Sequence, residues 1–300
     1  MKKESIYKEA TGKVPIRMTN DYLFKVLLQK NEIVLTELIS SLLFTESSKV
    51  RNVEVTNPII PGETINDKTV VLDVNVNFND GERINLEIQV INNNNWEDRS
   101  TYYACRNYAK LGKGHDYSEV KPVYQIGLVD FTPVPAHPKF YSRYRLSEVE
   151  DHYVYTEKLT IGTVDLTNIA LATENDKAYN IDKWASLFKA ETWEDIKMLA
   201  EKYEAIDEAA KTIYQLSEDE RIRQQCEARE KYEMDRLYIE NRLKKQAETI
   251  DQLTEENNQL TDENKQKDET IDQLTEDKKR MADENELLKK RIAELEANQK

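Results

Sequence analysis

The stretch LDVNVNFNDGERINLEIQV, residues 72–90, decides the fold class because it contains two short runs that alternate strictly between apolar and polar residues. A period of two residues is typical of a β-strand with one apolar and one polar face. Between the runs lie the turn-forming residues Asn79, Asp80 and Gly81. The pattern therefore predicts a β-hairpin whose polar face carries acids and amides.

The length of the connecting loop determines which residues of the hairpin face each other. A two-residue turn would mix the apolar and polar faces, whereas a three-residue loop with glycine in the left-handed conformation keeps them separate. The three-residue loop places Asp73 opposite Glu87, with Gln89 two residues further along the same face.

Two opposed carboxylates make the polar face of the hairpin a candidate metal site. Directly opposed side chains have Cβ atoms ~4.5–5.5 Å apart. Two carboxylates at such a distance repel by up to about 4 kcal/mol at an effective dielectric constant near 20. A divalent cation would offset this repulsion, and two carboxylates completed by water suit Mg²⁺ or Mn²⁺. The alternative is an ordinary solvated sheet face.

The segments around the hairpin predict strands interleaved with helices, which indicates an α/β layer domain. The predicted elements are one helix capped by Thr19 or Asn20 and continuing to Leu42, a strand within residues 50–60 ended by Pro58 and Pro61, the hairpin, a helix from Trp96 to Leu111 ended by Gly112 and Gly114, strands within residues 120–131 and 153–166, and helices within residues 183–203.

Glycine and proline divide the chain into two regions. All seven glycines and all seven prolines lie before residue 163, so the remainder can be helical almost throughout. We expect an α/β domain over residues 1–215 and a helical extension with a coiled coil over residues 216–300.

A heptad pattern predicts the coiled coil and its partner. Positions a are Ile250, Asn257, Asn264, Ile271, Lys278, Asn285 and Ile292, and positions d are Leu253, Leu260, Lys267, Leu274, Met281, Leu288 and Leu295. The segment ETIDQLTE occurs at residues 248–255 and again at 269–276, three heptads apart. Asparagine at position a favours two parallel helices in register, so a second copy of the chain is the expected partner.

Charge and hydropathy exclude several classes of protein. The formal net charge is −14, and residues 1–140 contribute only −1 of it, from 17 basic and 18 acidic side chains. Any DNA contact must therefore lie in the neutral first half, since phosphates are bound by Lys and Arg. The first ten residues lack the apolar core of a signal peptide, and no apolar run reaches the length of a membrane span. We expect a cytoplasmic protein without a membrane partner.

The ordered motifs NDYLFK, LDV, LEIQV, RSTYYACRNYAKLGKGHDY and KPVYQIGLVDF resemble the PD-(D/E)xK nuclease superfamily, most closely its branch of recombination-promoting nucleases and putative transposases. The resemblance covers residues 17–215 and leaves the coiled coil outside. It implies a restriction-endonuclease-like α/β fold, in which a mixed central sheet is flanked by helices.

The resemblance also implies roles for individual residues. Asp73 and Glu87 match the acids that bind the catalytic metal, and the main-chain carbonyl of Ile88 would be a further ligand. Asp21 matches an acidic position at the outer edge of the metal site, although an acid there also suits a helix N-terminus. Gln89 stands where most of the superfamily has lysine, and a neutral amide only donates and accepts hydrogen bonds.

Arg99 and Tyr103 lie four residues apart on one helix and match the pattern of the branch. A guanidinium there would bind the scissile phosphate, and the alternative is a surface ion pair with core packing. The implied activity is metal-assisted hydrolysis of DNA phosphodiesters, linked to recombination or mobile elements. The second hypothesis is a nuclease fold without catalysis that acts as a coiled-coil scaffold or DNA-binding assembly factor.

Overall fold

A six-stranded mixed sheet forms the centre of the molecule in the computed structural model, which describes residues 6–59, 73–111 and 114–297. The strands are β1 (Glu54–Val55), β2 (Val74–Phe78), β3 (Glu82–Gln89), β4 (Val123–Val129), β5 (Tyr141–Arg145) and β6 (Leu159–Asp165). Their order in the sheet is β1-β2-β3-β4-β6-β5. The pairs β3–β4 and β4–β6 are parallel, and the other pairs are antiparallel.

Helices account for most of the remaining secondary structure. They are α1 (Asp21–Lys30), α2 (Glu32–Leu43), α3 (Trp96–Tyr108), α4 (Glu174–Ala178), α5 (Ile181–Phe188), α6 (Trp193–Ala200), α7 (Glu204–Glu218) and α8 (Glu220–Ala297). The predicted fold class is confirmed: the chain has a restriction-endonuclease-like α/β arrangement, with helices flanking a mixed sheet and a long C-terminal helix.

Helix α3 packs on β4 and β6, on the side of the sheet that also carries the polar face of the hairpin. Glu87 of β3 lies in register with Gly127 of β4, which lies in register with Thr163 of β6. The indole of Trp96, at the start of α3, would lie 2.0 Å from a Cβ atom at residue 127, so only glycine permits this approach. The Trp96 Nε1–H donates to Thr163 Oγ1 at 2.9 Å. On this side of the sheet Asn85 and Glu87 of β3 are buried, whereas Asn75 and Asn77 of β2 are half-buried.

The apolar face of the sheet belongs to the main hydrophobic core. Ile84 and Leu86 of β3 are no more than 1 % exposed, and Ile126 and Leu128 of β4 are buried with them. Apolar side chains of α1, α2, α5 and α7 belong to the same core, and α1 contacts both β2 and β3. Helix α1 consequently reaches the hairpin from the side opposite α3.

The single helix expected between Asn20 and Leu42 is wrong, because the structure breaks it at Asn31. The Asn31 side chain accepts a hydrogen bond from Val34 N at 3.0 Å and donates one to Thr212 Oγ1 of α7 at 2.7 Å. A residue that caps the second helix and bonds to a distant helix ends the first one. The spacing of apolar residues continues through such a break and therefore does not reveal it.

Two further boundaries differ from the prediction, and one strand is additional. The strand expected within residues 50–60 is reduced to Glu54–Val55, and α3 ends at Tyr108 rather than at Leu111. Strand β5 was not predicted, because it is a short edge strand that owes its pairing to β6. The predicted stops at Pro61 and Gly112, and Leu72 of the hairpin, lie outside the described residues.

The chain divides into two compact units, with the first ending at Asp235 and the second beginning at Arg236. Beyond residue 215, Leu216, Ile222 and Cys226 are still buried in the core of the first unit. In the second unit, the described residues up to 294 belong to α8 and are all exposed. Among the helices that the structure describes, none is both long enough and apolar enough to cross a membrane.

Candidate active site

The turn of the hairpin adopts the three-residue form expected from the sequence. Asn79, Asp80 and Gly81 have φ values of +43°, +58° and +114°, and Gly81 N donates to Phe78 O at 3.0 Å. The observed pairs run from Phe78 with Glu82 to Val74 with Leu86. One further step in this register sets Asp73 opposite Glu87. The predicted pairing register is confirmed.

Asp73 is held directly before β2 by two asparagine side chains. It is 8 % exposed, and its Oδ2 accepts a hydrogen bond from Asn75 Nδ2 at 3.0 Å. Asn57 Nδ2 donates to the Asp73 carbonyl at 3.0 Å, while Asn57 Oδ1 accepts from Asn75 N at 2.8 Å. Burial raises the pKa of Asp73, although the charge of Lys25 and the bond from Asn75 oppose the rise.

Glu87 lies near the end of β3 and pairs with an arginine of α3. It is 7 % exposed, and its Oε1 accepts from Arg99 Nη2 at 2.5 Å. Burial raises the pKa of Glu87, the Arg99 guanidinium opposes the rise, and the charges of Asp73 and Asp21 add to it. The two predicted acids therefore act on each other in a site of low exposure.

Gln89 and Arg99 both leave a buried polar atom without a partner. Gln89 Nε2 donates to the carbonyl of Ile91 at 2.6 Å, which leaves Gln89 Oε1 buried and unbonded. Arg99 Nε is likewise buried without a partner. Buried polar atoms are nearly always hydrogen-bonded, so an unbonded acceptor and donor beside two carboxylates indicate a place for a polar ligand.

Ile88 presents its main chain toward β2. The carbonyl of Gln89 accepts from Asp130 N at 2.9 Å, and Arg83 N donates to Pro122 O at 3.0 Å, so these residues direct their peptide groups toward β4. Because the direction alternates along a strand, the Ile88 carbonyl points to the β2 side, beyond the last observed pair of the hairpin. This direction suits a ligand shared with Asp73.

Asp21 begins α1 but is engaged by a distant arginine. Arg229 Nε donates to Asp21 Oδ1 at 3.1 Å, and Arg229 Nη2 forms a second bond to Asp21 Oδ2. Arg229 lies in the part of α8 that belongs to the first unit. The charge of Asp21 reaches Glu87, although its carboxylate is already paired. A role for Asp21 at the metal site stays a prediction.

Tyr103 lies beside Arg99 on α3, as their spacing predicts. The Arg99 Cζ atom is 5.4 Å from the centroid of the Tyr103 ring. The Arg99 side chain is one-third exposed, so it reaches from Glu87 to the surface. The structure thus brings Asp73, Glu87 and Arg99 together, with Tyr103 against the arginine.

Lys25 was missed by the sequence analysis. Within the part of the chain that the structure describes, it is the one buried lysine or arginine, with 3 % exposure. Burial lowers the pKa of Lys25, and the charge of Asp73 opposes this effect. The signal was present in the motif NDYLFK, because Lys25 follows Asp21 by one helical turn and interrupts an otherwise apolar run.

The donor set fits a hard divalent cation. Two buried carboxylates and a main-chain carbonyl are all oxygen ligands, which Mg²⁺ and Mn²⁺ prefer. In the described ranges, no three His, Cys, Asp or Glu side chains are already grouped closely enough to hold an ion. Binding would therefore draw the Glu87 carboxylate away from Arg99.

Comparison with known proteins identifies the family of the chain. The model of the PD-(D/E)XK nuclease family transposases matches residues 18–242. No curated protein and no solved structure matches the chain. The match extends over well over half of the chain and includes β2, β3, α3 and the helices that carry Asp21 and Arg229. The chain belongs to the PD-(D/E)XK nuclease family transposases.

Proposed function

We propose that the first unit is a Mg²⁺- or Mn²⁺-dependent DNA endonuclease that serves recombination or the movement of mobile elements in the cytoplasm. One observation carries this proposal: two carboxylates, each less than a tenth exposed, lie in register beside a buried acceptor and a buried donor that have no partner. A fold gains no stability from burying two acids together, since burial penalises the charged form of each. A bound cation and phosphate would use all four groups.

Each residue of the site has a defined task in the proposed reaction. Asp73, Glu87 and the Ile88 carbonyl would hold the ion, with Asp21 at its outer edge after release from Arg229. A bound divalent ion supplies neutralising charge and lowers the pKa of a coordinated water. The unbonded Gln89 Oε1 accepts a hydrogen bond from the attacking water and so orients it.

Arg99 and Tyr103 bind the phosphate in the same reaction. Arg99 Nε is a buried donor without a partner and would donate to the phosphate, and the adjoining Tyr103 ring limits the positions of the guanidinium. The water oxygen forms the new bond to phosphorus and loses a proton to solvent. The bond from phosphorus to the leaving oxygen breaks, and that oxygen keeps the electron pair and is protonated by solvent.

Plasmid cleavage by the purified chain in Mg²⁺ or Mn²⁺ tests the activity. We expect Asp73→Asn and Glu87→Gln to abolish cleavage while their thermal midpoints in EDTA stay unchanged or rise slightly. Both should lose the metal-induced rise in midpoint that a bound ion gives to the wild type. Asp80→Asn is the matched control, because it removes one charge from the exposed turn of the same hairpin. Gln89→Lys should retain or raise activity.

The second candidate function is a coiled-coil scaffold or DNA-binding assembly factor on an inactive nuclease fold. Its supporting observation is that Glu87 and Asp21 are each already paired with an arginine. Wild-type protein with neither a metal-induced midpoint shift nor cleavage would refute the nuclease and leave this candidate.

Both candidate functions include self-association of the chain through α8. The apolar side chains at heptad positions a and d of α8, such as Ile250, Leu253 and Leu274, are more than half exposed in the single chain. A parallel homodimer would bury this seam. Two copies would then present two candidate sites to one DNA molecule.

A further inference from the structure

The proposed nuclease lacks a cation at the position where most of the superfamily has lysine. Gln89 is neutral, and its amide nitrogen is already bonded to the carbonyl of Ile91. Phosphodiester hydrolysis nevertheless builds negative charge on the oxygens around phosphorus, and a positioned cation is the usual means to stabilise it. Arg99 is partly committed to Glu87.

Lys25 is a cation near the candidate site, and no ion pair between described residues accounts for its burial. It lies on α1, which contacts both strands of the hairpin. It follows Asp21 by one helical turn, so both side chains lie on the same side of the helix. Its charge acts on Asp73. Among the described residues, no carboxylate lies within ion-pair distance of its ammonium group, and no side chain is hydrogen-bonded to it.

Stability of the fold does not account for the burial of Lys25. Lysines that pack only through their aliphatic stem keep the ammonium group in water, whereas Lys25 is 3 % exposed. A buried charge that serves stability is closely paired, and the described part of the fold gives Lys25 no such pair. A lysine that is almost fully buried beside a candidate metal ligand, with no carboxylate within ion-pair distance in the described residues, is instead typical of a group that meets its counter-charge in the substrate.

We propose that Lys25 is a catalytic residue of the nuclease and supplies from α1 the positive charge that Gln89 does not supply from β3. This inference rests on the proposed function. The ammonium group would contact a non-bridging phosphate oxygen and stabilise the charge that accumulates while the new P–O bond forms and the old one breaks. Lys25 remains protonated throughout, so the proton and electron balance of the hydrolysis is unchanged.

The test uses the full chain with four variants: Lys25→Met, Gln89→Lys, the double variant Lys25→Met/Gln89→Lys, and Lys30→Met as the matched control. Lys30 is an exposed lysine at the end of the same helix. Two quantities are measured for each variant: the rate of single-turnover plasmid cleavage in Mn²⁺, and the thermal midpoint with Mn²⁺ and with EDTA.

We expect Lys25→Met to fold with an equal or higher midpoint in EDTA, because it removes a charge that burial penalises. It should keep the Mn²⁺-induced shift and lose cleavage by about 10²-fold or more. The double variant should regain at least about tenfold of that loss, since a cation returns to the site. Lys30→Met should match the wild type in both measurements.

Three results would overturn the inference. They are cleavage by Lys25→Met within about threefold of wild type, a lowered midpoint in EDTA or a lost Mn²⁺ shift in Lys25→Met, and a folded, metal-binding double variant that regains no activity. In all three cases the wild type still cleaves, so the proposed function stands. A wild type that neither cleaves nor shifts with Mn²⁺ refutes both.

Discussion

The two units of the chain differ in how far their carboxylates are exposed to water. In the first unit, Asp73 and Glu87 are less than a tenth exposed and face cations from other elements. In the second unit, every described residue up to 294 is exposed, and acids pair with bases three or four positions away on the same helix. The same residue types therefore form a buried site in one unit and a solvated surface in the other, because only a tertiary fold removes water from a charge.

The prediction with the largest expected effect concerns the residue at which the first unit ends. Sequence pattern places the domain end at residue 215, whereas the packing of residues 216–235 on the first unit places it at 235. A chain cut after 215 loses three buried apolar side chains, the bond from Asn20 Nδ2 to the Cys226 carbonyl, and the Asp21–Arg229 pair.

We expect residues 1–235 to unfold in a cooperative thermal transition close to that of the whole chain. Residues 1–215 should be destabilised by about 5 kcal/mol, since each buried side chain contributes ~1.5–3 kcal/mol, and this is much of the stability of a typical domain. Calorimetry of the two fragments measures the difference. An unchanged midpoint in residues 1–215 would support the earlier boundary.

The second prediction concerns association of the exposed unit. Leu260→Asp together with Leu274→Asp should dissociate the homodimer at micromolar concentration, because both residues occupy d positions of the heptads. Gln259→Asp with Gln273→Asp adds the same charge one residue earlier in each heptad, outside the a and d seam, and should leave the dimer intact. Light scattering measures the mass. A wild-type monomer at micromolar concentration would contradict the expected coiled coil.

The third prediction uses Glu233, one of the last residues of the buried environment. Its side chain is 14 % exposed. Burial and the charge of Asp21 raise the pKa of Glu233 from 4.5 to about 7, although Arg17 and Arg229 oppose the rise. Because the folded state binds this proton more tightly than the unfolded state, stability is present below pH 4.5 and is lost as pH rises to about 7.

Glu233→Gln should therefore raise the free energy of unfolding at pH 8 by on the order of 1–2 kcal/mol, and the gain should vanish near pH 4.5. Thermal melts of the variant and the wild type at both pH values check this sign. Glu240→Gln, an exposed acid further along α8, is the control and should show no such pH dependence. A gain that grows toward low pH would contradict the argument.

The smallest effect belongs to the surface pairs of the second unit. Glu286→Gln breaks the contact with Lys290, which spans 3.4 Å between two side chains that are about 70 % exposed and lie outside the a and d positions. Exposed ion pairs contribute little, so we expect the thermal midpoint to move by no more than about 1 °C. A large shift would mean that the coiled coil buries this pair between its two helices.

The sequence predicted the features of this protein that depend on neighbours along the chain. The turn Asn79-Asp80-Gly81 and the alternation around it determine the pairing of β2 with β3, because a slip of one residue would turn every apolar side chain to the wrong face. The long C-terminal helix follows from the absence of glycine and proline after residue 162. The order of short motifs was sufficient to identify the family.

Only the tertiary structure decided the features that join distant parts of the chain. The helix break at Asn31 depends on Thr212, and the pairing of Asp21 depends on Arg229, more than two hundred residues away. Lys25 interacts electrostatically with Asp73 only because α1 packs beside the hairpin. Periodicity indicates which side of a helix or strand is buried, but it does not identify the residues that pack against that side. The charges around the candidate site come from the hairpin, α1, α3 and α8, so their interaction exists only after folding has brought those elements together.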